Sequence, residues 1–365
     1  MSLPGLAFVA AVAWHVTSFA GDDPASSLPR VRGAMPQLPD ECVLQKTNVG
    51  PEGEFLRLLN LYRDGNPGEA VRALRSLDVA VARGMIGSQA PGLSDVCLQT
   101  ASLIELELAM SFAERSLWEN ADTRLETAWK LSFLIEESRR RLHFQRDWLL
   151  AAGLFHHELI FVNLAEEAFP RAHRFLHRAA ERYPDDPEVL LAAGALLEWS
   201  GSLRGGVASH LKEAEELYAR ALRLAPDEPP ILLRHGLVLE KLGKRDEAAV
   251  PLLRLLELGA KEDVIYRSRM ALGKIAEASG RLPEAIAHYE SAAAAVPSWQ
   301  VAYVALGHAL HSSESHDRAR TVLDQAFSRD LKSADETFMG WWSYELGLAL
   351  RFEPLLERMR AEVMR

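Results

Sequence analysis

Residues 266–297 read YRSRMALGKIAEASGRLPEAIAHYESAAAAVP, and the spacing of their small side chains decides the fold. Gly273 lies on an apolar helical stripe. Ala285 follows twelve positions later, and Tyr289, Ala292 and Pro297 stand four, seven and twelve positions beyond that alanine. The stretch before it, PILLRHGLVLEKLGKRDEAAVPLLRLLELGA (230–260), gives Gly236, Ala248, Leu252, Leu255 and Ala260 at the same steps. The stretch after it, WQVAYVALGHALHSSESHDRARTVLDQAF (299–327), gives Gly307, Ala319, Leu323 and Ala326. Further upstream, Gly194, Ala214, Tyr218, Ala221 and Pro226 repeat the set with eight extra residues between glycine and alanine. A degenerate copy with Ala172, Leu176, Ala179 and Pro184 precedes them.

Self-similarity of about 34 residues with apolar residues every three or four positions describes stacked helical hairpins. Antiparallel helices approach within the near end of the ~8–10 Å range only where side chains are small. The glycines are therefore expected to admit the second helix of each pair, with Ala214, Ala248, Ala285 and Ala319 answering from it. Tyr218, Leu252, Tyr289 and Leu323 are expected to fill the space between one hairpin and the next. The pattern resembles the tetratricopeptide repeat, with Leu-Gly on the first helix, Ala-x3-Phe/Tyr-x2-Ala on the second and a closing Pro. That resemblance implies an all-α fold, a right-handed α-solenoid of antiparallel helix pairs forming a superhelix.

Around the repeats the chain divides by composition. Residues 1–20 contain the apolar run Leu6–Ala20, ending in Ser18-Phe19-Ala20 before Gly21-Asp22-Asp23-Pro24. This is the form of a cleaved secretory signal peptide, too short to span a bilayer. The first five residues carry no Lys or Arg, which keeps an N-terminal helix as the alternative. Residues 21–53, with Pro24, Pro29, Pro36, Pro39 and Pro51, form an expected linker. Residues 54–147 are expected to be degenerate helical repeats, with long helices over 94–117 and 121–142. Residues 148–186 hold the degenerate repeat, 187–331 the four clear ones, and 332–365 the C-terminal capping helices. The insertion around SGSLRGGVASHLK (200–212) is expected to lengthen the connection and the start of the second helix, and it and the insertion at or near Lys261-Glu262-Asp263 are expected to map to loops on one edge of the solenoid.

The formal net charge of −10 excludes the basic surplus that duplex binding needs, so no nucleic acid is expected as main partner. Cys42 and Cys97 form no CxxC pair; whether they bond to each other stays open. His173 and His177 stand four apart on a helix and His156-His157-Glu158 one helix earlier, but HExxH is missing. His308, His311 and His316 have no ligand spacing, and Gly201–Gly206 lacks the GK[ST] ending of a phosphate loop. No catalytic residue, cofactor or metal is expected.

The function implied is a non-enzymatic scaffold holding peptide or protein partners, exported if the signal is real. An alternative is a structural, self-assembling homo-oligomer; a third is an enzyme concealed in residues 51–147. In tetratricopeptide arrays the first helices line the concave face, and the resemblance implies that residues three before and one, four and five after each glycine face it. Among these, Trp199, Lys241, Lys274, His308, His311, Tyr344 and Phe352 are the expected partner-binding residues. Chaperone-tail binders of that family place Lys and Asn where this chain has Leu191, Ala195, Leu233 and Leu237, so that ligand is not expected.

Overall fold

The computed structural model describes residues 95–328, apart from 115, 134, 136, 161–164 and 203–207, together with Arg358. The signal-peptide, linker and capping assignments, Cys42, Tyr344 and Phe352 lie outside the described residues, as does the side chain of Cys97. Among the described residues there is no strand. The helices are α1 (Asp95–Glu114), α2 (Trp118–Ser132), α3 (Ser138–Leu159), α4 (Ala165–Arg182), α5 (Pro187–Ser202), α6 (Ala208–Leu224), α7 (Pro229–Lys241), α8 (Arg245–Glu257), α9 (Glu262–Ala278), α10 (Leu282–Ala295), α11 (Gln300–Ser312) and α12 (His316–Ser328). No described helix is long and apolar enough to cross a membrane. Two compact units divide within α4: of the described residues, the first holds those up to Phe175 together with Arg358, and the second those from Leu176 to Ser328.

In the first unit α1 and α2 pack as a pair. A buried ion pair between Glu105 and Arg124 (3.2 Å) and the Ser102 hydroxyl, which donates to the Ala128 carbonyl at 2.6 Å, cross between them. The helix expected over 121–142 is two helices. α2 stops where Phe133 N–H turns back to the Lys130 carbonyl, and α3 begins at Ser138. Asp95 accepts the Glu137 N–H at 2.9 Å and Arg141 donates to the Ile135 carbonyl at 3.1 Å, so side chains satisfy the broken backbone. From Phe144 to His157 every α3 residue but Arg146 is buried. Trp148 lies at its centre, against Trp129 and Phe175.

In the second unit the pairs are α5–α6, α7–α8, α9–α10 and α11–α12. Each of the four glycines faces the aromatic or leucine of its own second helix. A Cβ at Gly194 would lie 2.5 Å from Tyr218, one at Gly236 2.6 Å from Leu252, and one at Gly307 2.7 Å from Leu323; Gly273 faces Tyr289 in the same way. The large residue closes the pair from within against the bare glycine, and it also belongs to the core shared with the next hairpin: Tyr218 clusters with Ile231 and Val238, Leu252 with Ala271 and Ile275, and Tyr289 with Ala302 and Leu306. The insertion at 261–263 differs from expectation. Glu262 and Asp263 form the first turn of α9, which grows to 17 residues beside the 13 of α7 and α11, because acidic side chains suit a helix N-terminus. The upstream insertion lengthens α5 and α6 on either side of 203–207.

Candidate partner-binding face

The first helices of the pairs carry a repeated carboxylate one turn after the glycine: Glu198 on α5, Glu240 on α7 and Glu277 on α9. Each reaches a basic group on the next first helix. Lys241 Nζ lies 2.8 Å from Glu198, Lys274 Nζ 3.1 Å from Glu240, and His308 Nδ1 2.6 Å from Glu277. A ladder of two ion pairs and one histidine–carboxylate contact thus joins α5, α7, α9 and α11. Where the second helix supplies tyrosine, its hydroxyl joins as well: Tyr218 donates to Glu198 at 2.9 Å and Tyr289 to Glu277 at 2.8 Å.

The ladder changes character along its length. Glu198 and Arg234 are wholly buried at 3.1 Å, with Lys241 half-buried beside them. Burial alone would raise the Glu198 carboxyl, but Lys241 and Arg234, with hydrogen bonds from Lys241 and Tyr218, outweigh it and hold the group below the ordinary carboxylate range. At the other end the side chains of Lys274 and His308 are 66% and 71% exposed, and the pairs there are wet. Burial and then its contact with Glu277 push the Tyr289 hydroxyl well above the ordinary phenol range.

Of the expected partner-binding residues, the structure brings Lys241, Lys274 and His308 into this one row, each already paired with a carboxylate. His311 is exposed one turn beyond His308. Trp199 stands apart. It is only 8% exposed, and Leu191, Ala195, Leu233 and Leu237 from the same face are buried with it. The open apolar surface of the face is instead on α11, where Val301 and Val304 are exposed and continue at helical spacing into His308 and His311. Sequence reasoning missed Arg234. The signal was available, because Arg234 stands two positions before its glycine where the other copies have Ala192, Ala271 and Ala305.

His156, His173 and His177, on α3 and α4, are held in separate contacts. His177 pairs with Glu181 at 3.3 Å, while His173 lies against Phe169. His156 is buried between the rings of Trp118 and Phe175, donating Nδ1–H to the Ala152 carbonyl at 2.7 Å. Arg171 covers Trp118 and forms a two-point ion pair with Asp122, at 3.1 and 2.6 Å. Among the described residues no group of three or more His, Cys, Asp or Glu is arranged around one metal position.

Face and helix pairs together define a stack of tetratricopeptide-type hairpins. No family model matches the sequence, and no curated protein matches it. Solved structures do. A crystal structure of MamA shares 20% identity, with 47% of this chain and 94% of that one covered and a TM-score of 0.40. A fragment of MamA from Desulfovibrio magneticus RS-1 shares 19%, covering 48% and 94%, with a TM-score of 0.40. YrrB, described as a TPR protein with an unusual peptide-binding site, shares 21%, covering 49% and 86%, with a TM-score of 0.36.

Proposed function

We propose that the chain is a non-catalytic scaffold whose second unit holds a peptide or protein partner on the open part of the first-helix face, at α9 and α11. One observation carries this: Val301, Val304, His308 and His311 form an exposed stripe at helical spacing on α11, and His308 reaches Glu277, one turn from Lys274 on α9, giving apolar anchors flanked by polar and charged groups. Such a stripe suits an amphipathic segment, whose apolar residues are covered while its charges meet the exchangeable surface ion pairs. The overall charge of −10 favours protein over nucleic acid.

The test is a photo-crosslinking residue placed at Val304 of the full chain, with a second placed at Val250 for comparison. Partner adducts are expected at 304, and their loss in Lys274→Glu. Adducts at 250 with none at 304 would sink this assignment. Val250 and Leu253, both exposed on α8, favour self-association as the second reading; concentration-dependent light scattering of wild type and Val250→Asp separates the two. Export rests on residues 6–20, and N-terminal sequencing of the mature protein tests it, with a retained Met1 counting against cleavage.

A further inference from the structure

We infer that His311 and His316 form a two-histidine surface site for a divalent transition-metal ion of the zinc, nickel or copper class. Their Nδ1 atoms stand 3.1 Å apart, and their rings, 4.7 Å between centroids, are inclined at 51°. Two imidazole nitrogens this close share either a proton or a cation. With metal–nitrogen bonds of about 2.0–2.1 Å, a 3.1 Å separation corresponds to an angle of about 100° at the metal, between octahedral and tetrahedral values. Imidazole nitrogen selects these ions over magnesium or calcium, which prefer oxygen. Two protein ligands leave the remaining positions to water, as exposed surface permits.

The linear spacing of these histidines matches no zinc motif; the turn between α11 and α12 makes the pair. His311 lies in the last turn of α11 and His316 opens α12. Glu314, at φ 64°, reverses the chain, its N–H bonded to the His311 carbonyl at 3.0 Å, while the Ser315 N–H reaches the Leu310 carbonyl at 2.9 Å. These bonds hold the two Cα positions before any ion arrives, which lowers the ordering cost of binding. The C-terminal end of α11 and Asp317 in the first turn of α12 add negative potential, opposing the positive N-terminus of α12. His308, one turn earlier, is occupied by Glu277 and takes no part.

The test uses full-length protein freed of metal by chelator and titrated with zinc chloride in a calorimeter. Wild type is expected to take up one zinc ion more than either His311→Ala or His316→Ala, while His308→Ala retains that ion. Both substituted side chains are exposed, so circular dichroism is expected to report unchanged folding; if one variant misfolds, the other decides. No zinc uptake by wild type would mean a shared proton only and would overturn the site. Equal uptake by wild type, His311→Ala and His316→Ala, or equal loss in His308→Ala, would overturn it too.

Discussion

The Tyr218 hydroxyl donates to Glu198 at 2.9 Å across the α5–α6 pair, and the ring that delivers it lies over the bare Cα of Gly194 one turn away. Tyr289, Gly273 and Glu277 repeat the relationship in α9–α10. The glycine therefore does more than admit a neighbouring helix: it gives the tyrosine room to lie down far enough for its oxygen to reach the carboxylate. In the alternate pairs Leu252 and Leu323 occupy the same place without a hydroxyl. There the contact is purely apolar.

Glu198 and Arg234 are both wholly buried, and Glu198 also holds Lys241 and Tyr218. Glu198→Ala is expected to destabilise the second unit by about 3–5 kcal/mol, the cost of breaking a buried ion pair. Tyr218→Phe, which leaves both cations on Glu198, is expected to cost about 1–2 kcal/mol. Urea unfolding of the three proteins checks the order. The carboxyl is depressed in the folded protein, so its contribution is fully present above the unfolded value near 4.5 and lost as pH falls through the lower folded value. The difference between wild type and Glu198→Ala is expected to shrink below that pH.

Gly273→Ala places a methyl group inside the Tyr289 ring envelope, and the ring cannot withdraw without releasing Glu277. Overpacking of this kind costs about 1–3 kcal/mol. Hydrogen exchange is expected to accelerate in α9 and α10 first. An unchanged exchange pattern would show that the pair closes without the glycine contact.

Trp199 and Lys274 are expected to separate packing from binding. Trp199→Ala empties a buried aromatic volume and is expected to cost about 3–5 kcal/mol in stability. Lys274→Ala breaks a solvent-exposed ion pair with Glu240 and is expected to cost no more than about 1 kcal/mol. A loss of partner crosslinking in Lys274→Ala at unchanged melting temperature is the expected outcome. The same loss in Trp199→Ala would be uninformative unless the melting temperature were also unchanged, an outcome that its burial argues against.

The helix pairs were legible because small residues at fixed intervals have a single geometric use, and Gly194, Gly236, Gly273 and Gly307 all meet the second helix. The break at 133–137 was not legible. Ser-Phe-Leu-Ile-Glu-Glu-Ser contains no Gly or Pro, and it is Asp95, far away in sequence, that satisfies the Glu137 N–H. Lys241 stands five positions after its glycine and Lys274 and His308 one position after theirs, but their partners on neighbouring helices were hidden, since a periodic pattern gives the face of a helix and not what crosses to it. Trp199 shows the same limit: a position on the first-helix face says nothing of whether that part of the face is covered. The turn that joins His311 to His316 depends on one left-handed residue, Glu314, whose type does not announce that conformation.

His156 gives the first unit its own pH dependence. Burial first, and the facing Arg171 and Arg174 charges second, lower its imidazole to about 4; the Nδ1–H bond to Ala152 and the Asp122 carboxylate work against this but do not prevail. The folded protein therefore keeps this side chain neutral between about pH 4 and 6.5, whereas the unfolded chain protonates it, so the unfolded state binds the extra proton and stability falls as pH drops. A shift from 6.5 to about 4 amounts to about 3 kcal/mol at 1.36 kcal/mol per unit, present above the unfolded value and lost progressively down to the folded one. His156→Leu keeps the apolar contacts with Trp118 and Phe175 and has no proton to take up. Hydrogen exchange of the α3 amides at pH 7, 6 and 5 is expected to reveal a steeper loss of protection in wild type than in His156→Leu. Parallel pH profiles would mean that the imidazole already charges within the folded unit, with Asp122 turned toward it as its counter-ion.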